Sequence, residues 1–147
     1  MKAPCIYAEW MKLFQVFRQH EHDEEVLSAM RQGSLVWQTG VAERFARQLI
    51  DLMNNRLDTA SNKFQQEMRR VQQESELVRA LLNLRRELTM VWQLTQLPAI
   101  PEEVRGKFAG MVREQADKMQ ACLEESSGGK CGGRVSSLAR NHKVNIF

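Results

Sequence analysis

The chain is predicted to be all-α: an elongated antiparallel helical hairpin or bundle, with a smaller N-terminal helical pair packed on it and a flexible C-terminal tail. Three observations predict this. Apolar residues recur at spacings of three and four along most of residues 4–126, which aligns them on helical faces. The straight-chain helix formers Gln, Glu, Arg, Leu and Met are abundant, and only 3 Pro and 8 Gly interrupt the 147 residues. No alternation of polar and apolar residues that would read as a strand occurs before residue 143.

The first helix is expected over residues 4–19, with Ile6, Trp10, Leu13, Phe14 and Phe17 on one face and Pro4 near its start, where a missing N–H costs little. The run His20-Glu21-His22-Asp23 breaks the pattern. Asp23 is the expected N-cap of a short second helix carrying Val26, Leu27, Ala29 and Met30, with Gly33 as its stop. Ser34 then caps a helix starting near Leu35. Along that helix Val41, Phe45, Leu49 and Leu52 form one stripe, and Ala42, Ala46, Ile50 and Met53 form a neighbouring one.

Asn54-Asn55 weakens this helix, and Asp58 or Thr59 is placed to start another; with no Gly or Pro to enforce a break, one continuous helix is the alternative. The next segment, about 58–96, reads as the longest. Its first half has a thin stripe of Ala60, Phe64, Met68 and Val71. Its second half has Leu77, Leu81, Leu84, Leu88 and Val91 in a strict 4-3-4-3 spacing, the seam of a coiled coil or bundle, widened by Val78, Leu82 and Trp92. Leu97-Pro98-Ala99-Ile100-Pro101 is a hard stop and a turn. A last helix follows to about Ser126, with Glu102 and Glu103 in its first turn and Val104, Phe108, Met111, Met119 and Cys122 on its buried face. The short turn predicts that it lies antiparallel to the helix before it.

With 43% hydrophobic and 27% charged residues, the composition is that of a globular chain. The reading is one helical domain, residues 1–127, followed by a Gly-rich basic tail, residues 128–147. The net charge is only +3, yet the tail holds Lys130, Arg134, Arg140 and Lys143 and no acidic residue, so it supplies the surplus. Met1-Lys2-Ala3-Pro4-Cys5 leads into Glu9 and Lys12 rather than an apolar core, so no signal peptide is expected. No apolar run approaches the roughly 20 residues of a membrane span. Cys5, Cys122 and Cys131 are odd in number and widely spaced, which fits reduced thiols and a cytoplasmic location.

The densest set of ligand-type side chains is His20-Glu21-His22-Asp23-Glu24. Positions i and i+2 do not share a helix face, and a metallohydrolase helix would place His at i and i+4, so a solvated turn with a helix cap is the expectation. Lys130 among glycines fails as a phosphate loop, because Cys131 stands where Ser or Thr is needed and no strand precedes it. Cys131 is the most accessible thiol expected, its thiolate favoured by Lys130 and Arg134. Trp10, Trp37 and Trp92 sit in apolar stripes and read as core. Arg69-Arg70 and Arg85-Arg86 are interleaved with Glu67, Glu74, Glu76 and Glu87, the pattern of a solvated, salt-bridged face.

No catalytic, cofactor-binding or metal-binding residue is expected. The functional expectation is a non-enzymatic protein-interaction module, an adaptor, small chaperone or regulatory subunit, with the tail as its docking element. Candidate partner-binding residues are Arg134, Arg140, Lys143, Val144, Ile146 and Phe147, since Lys143-Val144-Asn145-Ile146-Phe147 alternates as a segment that adds to a sheet edge or lays apolar residues in a groove. The thin stripe at 57–71 suggests completion by a second copy as a homodimer. The alternative is a nucleic-acid-associated regulator using the basic tail, with weak, salt-dependent binding.

Overall fold

The computed structural model describes residues 1–128; Cys131 and the candidate residues Arg134, Arg140, Lys143, Val144, Ile146 and Phe147 lie outside this range, as does the side chain of Cys122. The described chain is all-α, as expected, and consists of α1 (Tyr7–Arg18), α2 (Asp23–Arg31), α3 (Thr39–Arg70), α4 (Glu74–Thr95) and α5 (Glu102–Gly128). No helix among the described residues is long and apolar enough to cross a membrane. The chain groups into two compact units. The first comprises Met1–Arg56 and Met90–Gly110, and the second comprises Leu57–Thr89 and the residues from Met111.

The first unit is built round an aromatic cluster. Phe45 of α3 receives the rings of Trp10, Phe14 and Trp37, each with its centroid 5.4 Å away. Edge contacts of this kind add to the burial of large apolar surfaces. Phe17 of α1 and Val26, Leu27 and Met30 of α2 are also buried, as are Leu49, Leu52 and Met53 of α3. Trp10 is fully buried as predicted, but Trp37 and Trp92 are only half-buried.

α1 starts later than the spacing suggests. Pro4 is not a helical residue but a buried part of the segment leading to α1, and its carbonyl accepts the Ser34 N–H at 2.9 Å. A Cβ at Gly33 would stand 2.8 Å from Pro4 Cγ and 2.9 Å from its carbonyl oxygen. Gly33 thus follows α2 because the Pro4 backbone passes too close for any side chain, a packing reason rather than the left-handed stop expected. Ser34 caps no helix: its carbonyl accepts the Trp10 indole N–H at 2.9 Å, and residues 34–38 are irregular, the Gln38 N–H donating back to the Val36 carbonyl at 3.1 Å, so α3 begins only at Thr39.

The helix boundaries in the second half of the chain correct the sequence reading. α3 runs through Asn54-Asn55 without a break, and the break comes instead at residues 71–73, inside the segment read as one long helix. Both asparagines are exposed, where their modest helix penalty is outweighed by burying Leu52, Met53 and Leu57 on the opposite face. The real break has charge signals but no Gly or Pro. Arg69-Arg70 close α3, Glu74 and Glu76 open α4, and the Glu76 carboxylate accepts the Gln72 N–H at 3.0 Å.

In the second unit the stripe Leu57, Ala60, Phe64, Met68 and Val71 is buried within the chain itself, so the feature that suggested a second copy here is already covered. Of the predicted seam, Leu77, Leu81, Leu84 and Leu88 are buried in the second unit and Val91 in the first, while Leu82, read as widening it, is exposed. On α5 the buried line is Phe108, Val112, Ala116, Met119 and Leu123; Val104 and Met111 are half-buried at its edge.

α1 and α4 share a capping device. Ile6 has no acceptor in its side chain, so Glu9 reaches back, accepting the N–H groups of Cys5 at 3.0 Å and Ile6 at 3.3 Å. The Cys5 N–H chiefly holds the Glu9 carboxyl below its ordinary pKa; partial burial opposes this, and the Ile6 N–H, Lys2 and Lys12 reinforce it.

Two predictions follow from these contacts. Gly33→Ala should destabilise the fold by about 1–3 kcal/mol through overpacking against Pro4, measured as a shift in the urea midpoint; an unchanged midpoint would show that the Pro4 segment yields freely. Because the Glu9 pKa is depressed in the folded state, its contribution is complete above the ordinary carboxylate value and disappears as pH falls through the lowered one. Glu9→Gln should therefore show a shallower loss of stability than the parent chain on acidification through that window, and parallel acid limbs would refute the assignment.

Candidate docking surface

The strongest polar feature of the first unit is one that the apolar pattern of α3 conceals. Arg56 continues the line Leu49, Leu52, Met53 and is fully buried. Its Nη1 donates to the Phe17 carbonyl at 3.0 Å and to Asp23 Oδ1 at 2.9 Å, its Nη2 donates to Asp23 Oδ2 at 3.1 Å, and its guanidinium lies 4.2 Å from the centroid of the Phe17 ring. Asp23 is not the N-cap expected. His22 occupies that position, its carbonyl accepting the Val26 N–H, and Asp23 enters the first turn of α2 with its carboxylate turned to Arg56.

Each contact has a local reason. The Phe17 carbonyl belongs to the last turn of α1, at the negative end of the helix dipole, and accepts the His20 N–H at 3.1 Å as well as the Arg56 guanidinium. Asp23 stands at the positive end of α2, where a carboxylate is favoured. Arg56 thus satisfies the end of one helix and the start of the next at a single point. The signal for it was present in the sequence as a charged residue at helical spacing on an otherwise apolar stripe.

The turn between α1 and α2 carries the histidines singled out as ligand types. His20 and His22 are exposed and both have left-handed backbone, φ 60° and 55°. Such a conformation is costly for residues with a Cβ, although His adopts it more readily than most. His22 Nδ1 lies 3.8 Å from Glu25 Oε1, both exposed. Of the arginine pairs, Arg69, Arg70 and Arg86 are exposed and Arg85 is half-buried.

Exposed large apolar side chains concentrate on this first unit. Among the described residues they are Met1 (61% exposed), Ile6 (59%), Val36 (69%) and, on α4 in the second unit, Leu82 (54%). The first three lie on two segments, 1–6 and 33–38, that are tied together by the Ser34–Pro4 hydrogen bond and the close approach of Gly33 to Pro4. The Trp10 indole anchors the same junction from the core through Ser34. Met1 also walls a shallow groove along the outer side of α2, lined by Glu24, Glu25, Ser28, Ala29 and Gln32. Three exposed apolar side chains thus stand on two joined segments, and one of them, Met1, also walls the groove that Glu24 and Glu25 line. Sequence reasoning missed it because residues 35–37 read as the start of a helix with an inward face. Comparison of the chain with protein families, with characterised proteins and with solved structures finds no match.

Removing either member of the Arg56–Asp23 pair strands its partner's charge. Arg56→Met and Asp23→Asn should each destabilise the protein by roughly 3–5 kcal/mol. Their double variant should cost clearly less than the sum, as read from a denaturant double-mutant cycle. Strict additivity would mean that the two groups do not depend on each other.

Proposed function

We propose that the chain is a protein-interaction module, acting by binding rather than by catalysis, in the manner of an adaptor, small chaperone or regulatory subunit, and that the basic segment 128–147 is one of its docking elements. One observation carries the reading: Met1, Ile6 and Val36 are each exposed on two short segments that hydrogen bonds tie to each other and to Trp10. Apolar side chains scattered singly over a surface need no explanation, whereas a rimmed cluster of them marks a contact site. The backbone of these segments is ordered before any partner arrives, so binding does not have to supply that ordering free energy. Exposed Lys2, Glu24, Glu25 and Gln38 provide the polar rim that such sites have.

The test is a pull-down from native lysate with nuclease-treated controls, comparing the full chain with Ile6→Asp/Val36→Asp and with a chain ending at residue 128. Both sites are on the surface, so the double variant should keep the parent's thermal midpoint within a few degrees. A nuclease-resistant protein partner retained by the full chain should be lost from the double variant. Retention that depends on nucleic acid would replace this reading with that of a nucleic-acid-associated regulator.

A further inference from the structure

We propose that the acidic outer face of α2, with the exposed Met1, Ile6 and Val36, is the docking site for the basic segment 130–147 of a second copy of this chain. The inference rests on the interaction-module reading and names the partner for that surface.

α2 has two unlike faces. Val26, Leu27 and Met30 are buried on one side, whereas Glu24, Glu25, Ser28 and Gln32 point outward into the groove walled by Met1. Glu24 and Glu25 are exposed, and neither is paired with a Lys or Arg among the described residues. Of the cations in the first unit, Lys2 lies 3.8 Å from Glu9, Arg56 is paired with Asp23, Arg31 donates to the neutral Gln93 side chain and keeps its charge, and the Met1 ammonium stands at the groove wall. The lining of the groove thus carries two carboxylates against the one ammonium of Met1, and Met1 also belongs to the exposed apolar set with Ile6 and Val36.

One stretch of this sequence matches both properties. Residues 128–147 contain Lys130, Arg134, Arg140 and Lys143 and no acidic residue, and Val144, Ile146 and Phe147 follow directly on the last cation. Cations suit the groove and the apolar side chains suit Met1, Ile6 and Val36. Surface size selects an arm over a flat face. Three half-exposed side chains offer on the order of 300 Å², below the roughly 800 Å² per partner of a stable face-to-face interface. The 19 residues beyond Gly128, spanning at most about 65 Å if fully extended, add contact along the whole groove. Two copies that exchange arms make two such contacts and close the assembly, so individually weak sites reinforce each other.

The test is a charge swap in the full chain. A fluorescein-labelled peptide of residues 129–147 should bind the parent protein, more weakly as salt rises, and Glu24→Lys/Glu25→Lys should reduce its affinity at least tenfold. Sedimentation equilibrium over a concentration series should give a dimer for the parent and a monomer for that variant. Adding Arg140→Glu/Lys143→Glu to it should restore the dimer. Glu102→Lys/Glu103→Lys, the same change in the first turn of α5, should leave both readouts as in the parent. Should the α2 variant fail to fold, amide shifts in the parent protein on adding the peptide must centre on residues 24–32, and shifts centred elsewhere overturn the proposal. So do a parent mass that stays monomeric at every concentration, or peptide affinity unchanged in the α2 variant. Failure of these tests leaves capture of another protein through Ile6 and Val36 to its own pull-down, so the two failures are distinguishable.

Discussion

A guanidinium enclosed by protein must have its charge matched inside, and that requirement at Arg56, met through Nη1 and Nη2, organises the first unit. One side chain from α3 meets the end of α1 through the Phe17 carbonyl and the start of α2 through Asp23. Because two planar groups pair through two parallel bonds, the pairing fixes orientation as well as distance. The turn from Gln19 to His22 must fit between these two fixed points, and it does so with two histidines in left-handed backbone. Burying the pair has its own desolvation cost, so its contribution lies less in net stability than in rejecting alternative packings of α1 and α2.

A second constraint sits at the other end of α2. The Pro4 backbone occupies the space a side chain at Gly33 would fill, Ser34 bonds to Pro4, and Trp10 bonds to Ser34 from the core. These contacts turn an irregular segment without helical hydrogen bonds into a fixed platform. It is on this platform that Ile6 and Val36 are exposed, so the proposed contact surface depends on the polar contacts that join segments 1–6 and 33–38 and tie them to Trp10. Rigidity of the support and exposure of the apolar side chains have one origin.

The helix ends follow another economy. Neither α1 nor α4 has Ser, Thr, Asp or Asn at its N-terminus with a side-chain cap, and in both a glutamate in the first turn accepts a preceding backbone N–H. Carboxylates there answer the exposed amide donors and the positive end of the dipole together. This is why the break after α3 needs neither Gly nor Pro. Basic residues end one helix and acidic residues begin the next, and each set is placed where the dipole favours it.

The all-α class, the 4-3-4-3 seam of α4, the Pro98–Pro101 turn and the burial of Trp10, Phe14 and Phe17 are legible in the sequence, because each depends on periodicity or on a proline, which act within a few residues. The break at 71–73 was legible only as charge order, a weaker signal than the asparagine pair that drew the boundary to the wrong place. The roles of Asp23, Gly33 and Ser34 were misassigned, since local rules offered each a cap and long-range partners claimed them instead: Arg56 is 33 residues from Asp23, and Trp10 is 24 residues from Ser34. What the sequence determined by itself is therefore the set of helices, most of their apolar faces and the basic character of residues 128–147. Tertiary structure alone decided which groups meet the charge of Arg56 inside, that residues 34–38 stay outside any helix, and that Met1, Ile6 and Val36 are left exposed on two joined segments. Those outcomes depend on which distant backbone and side-chain groups satisfy one another, and no local pattern encodes that choice.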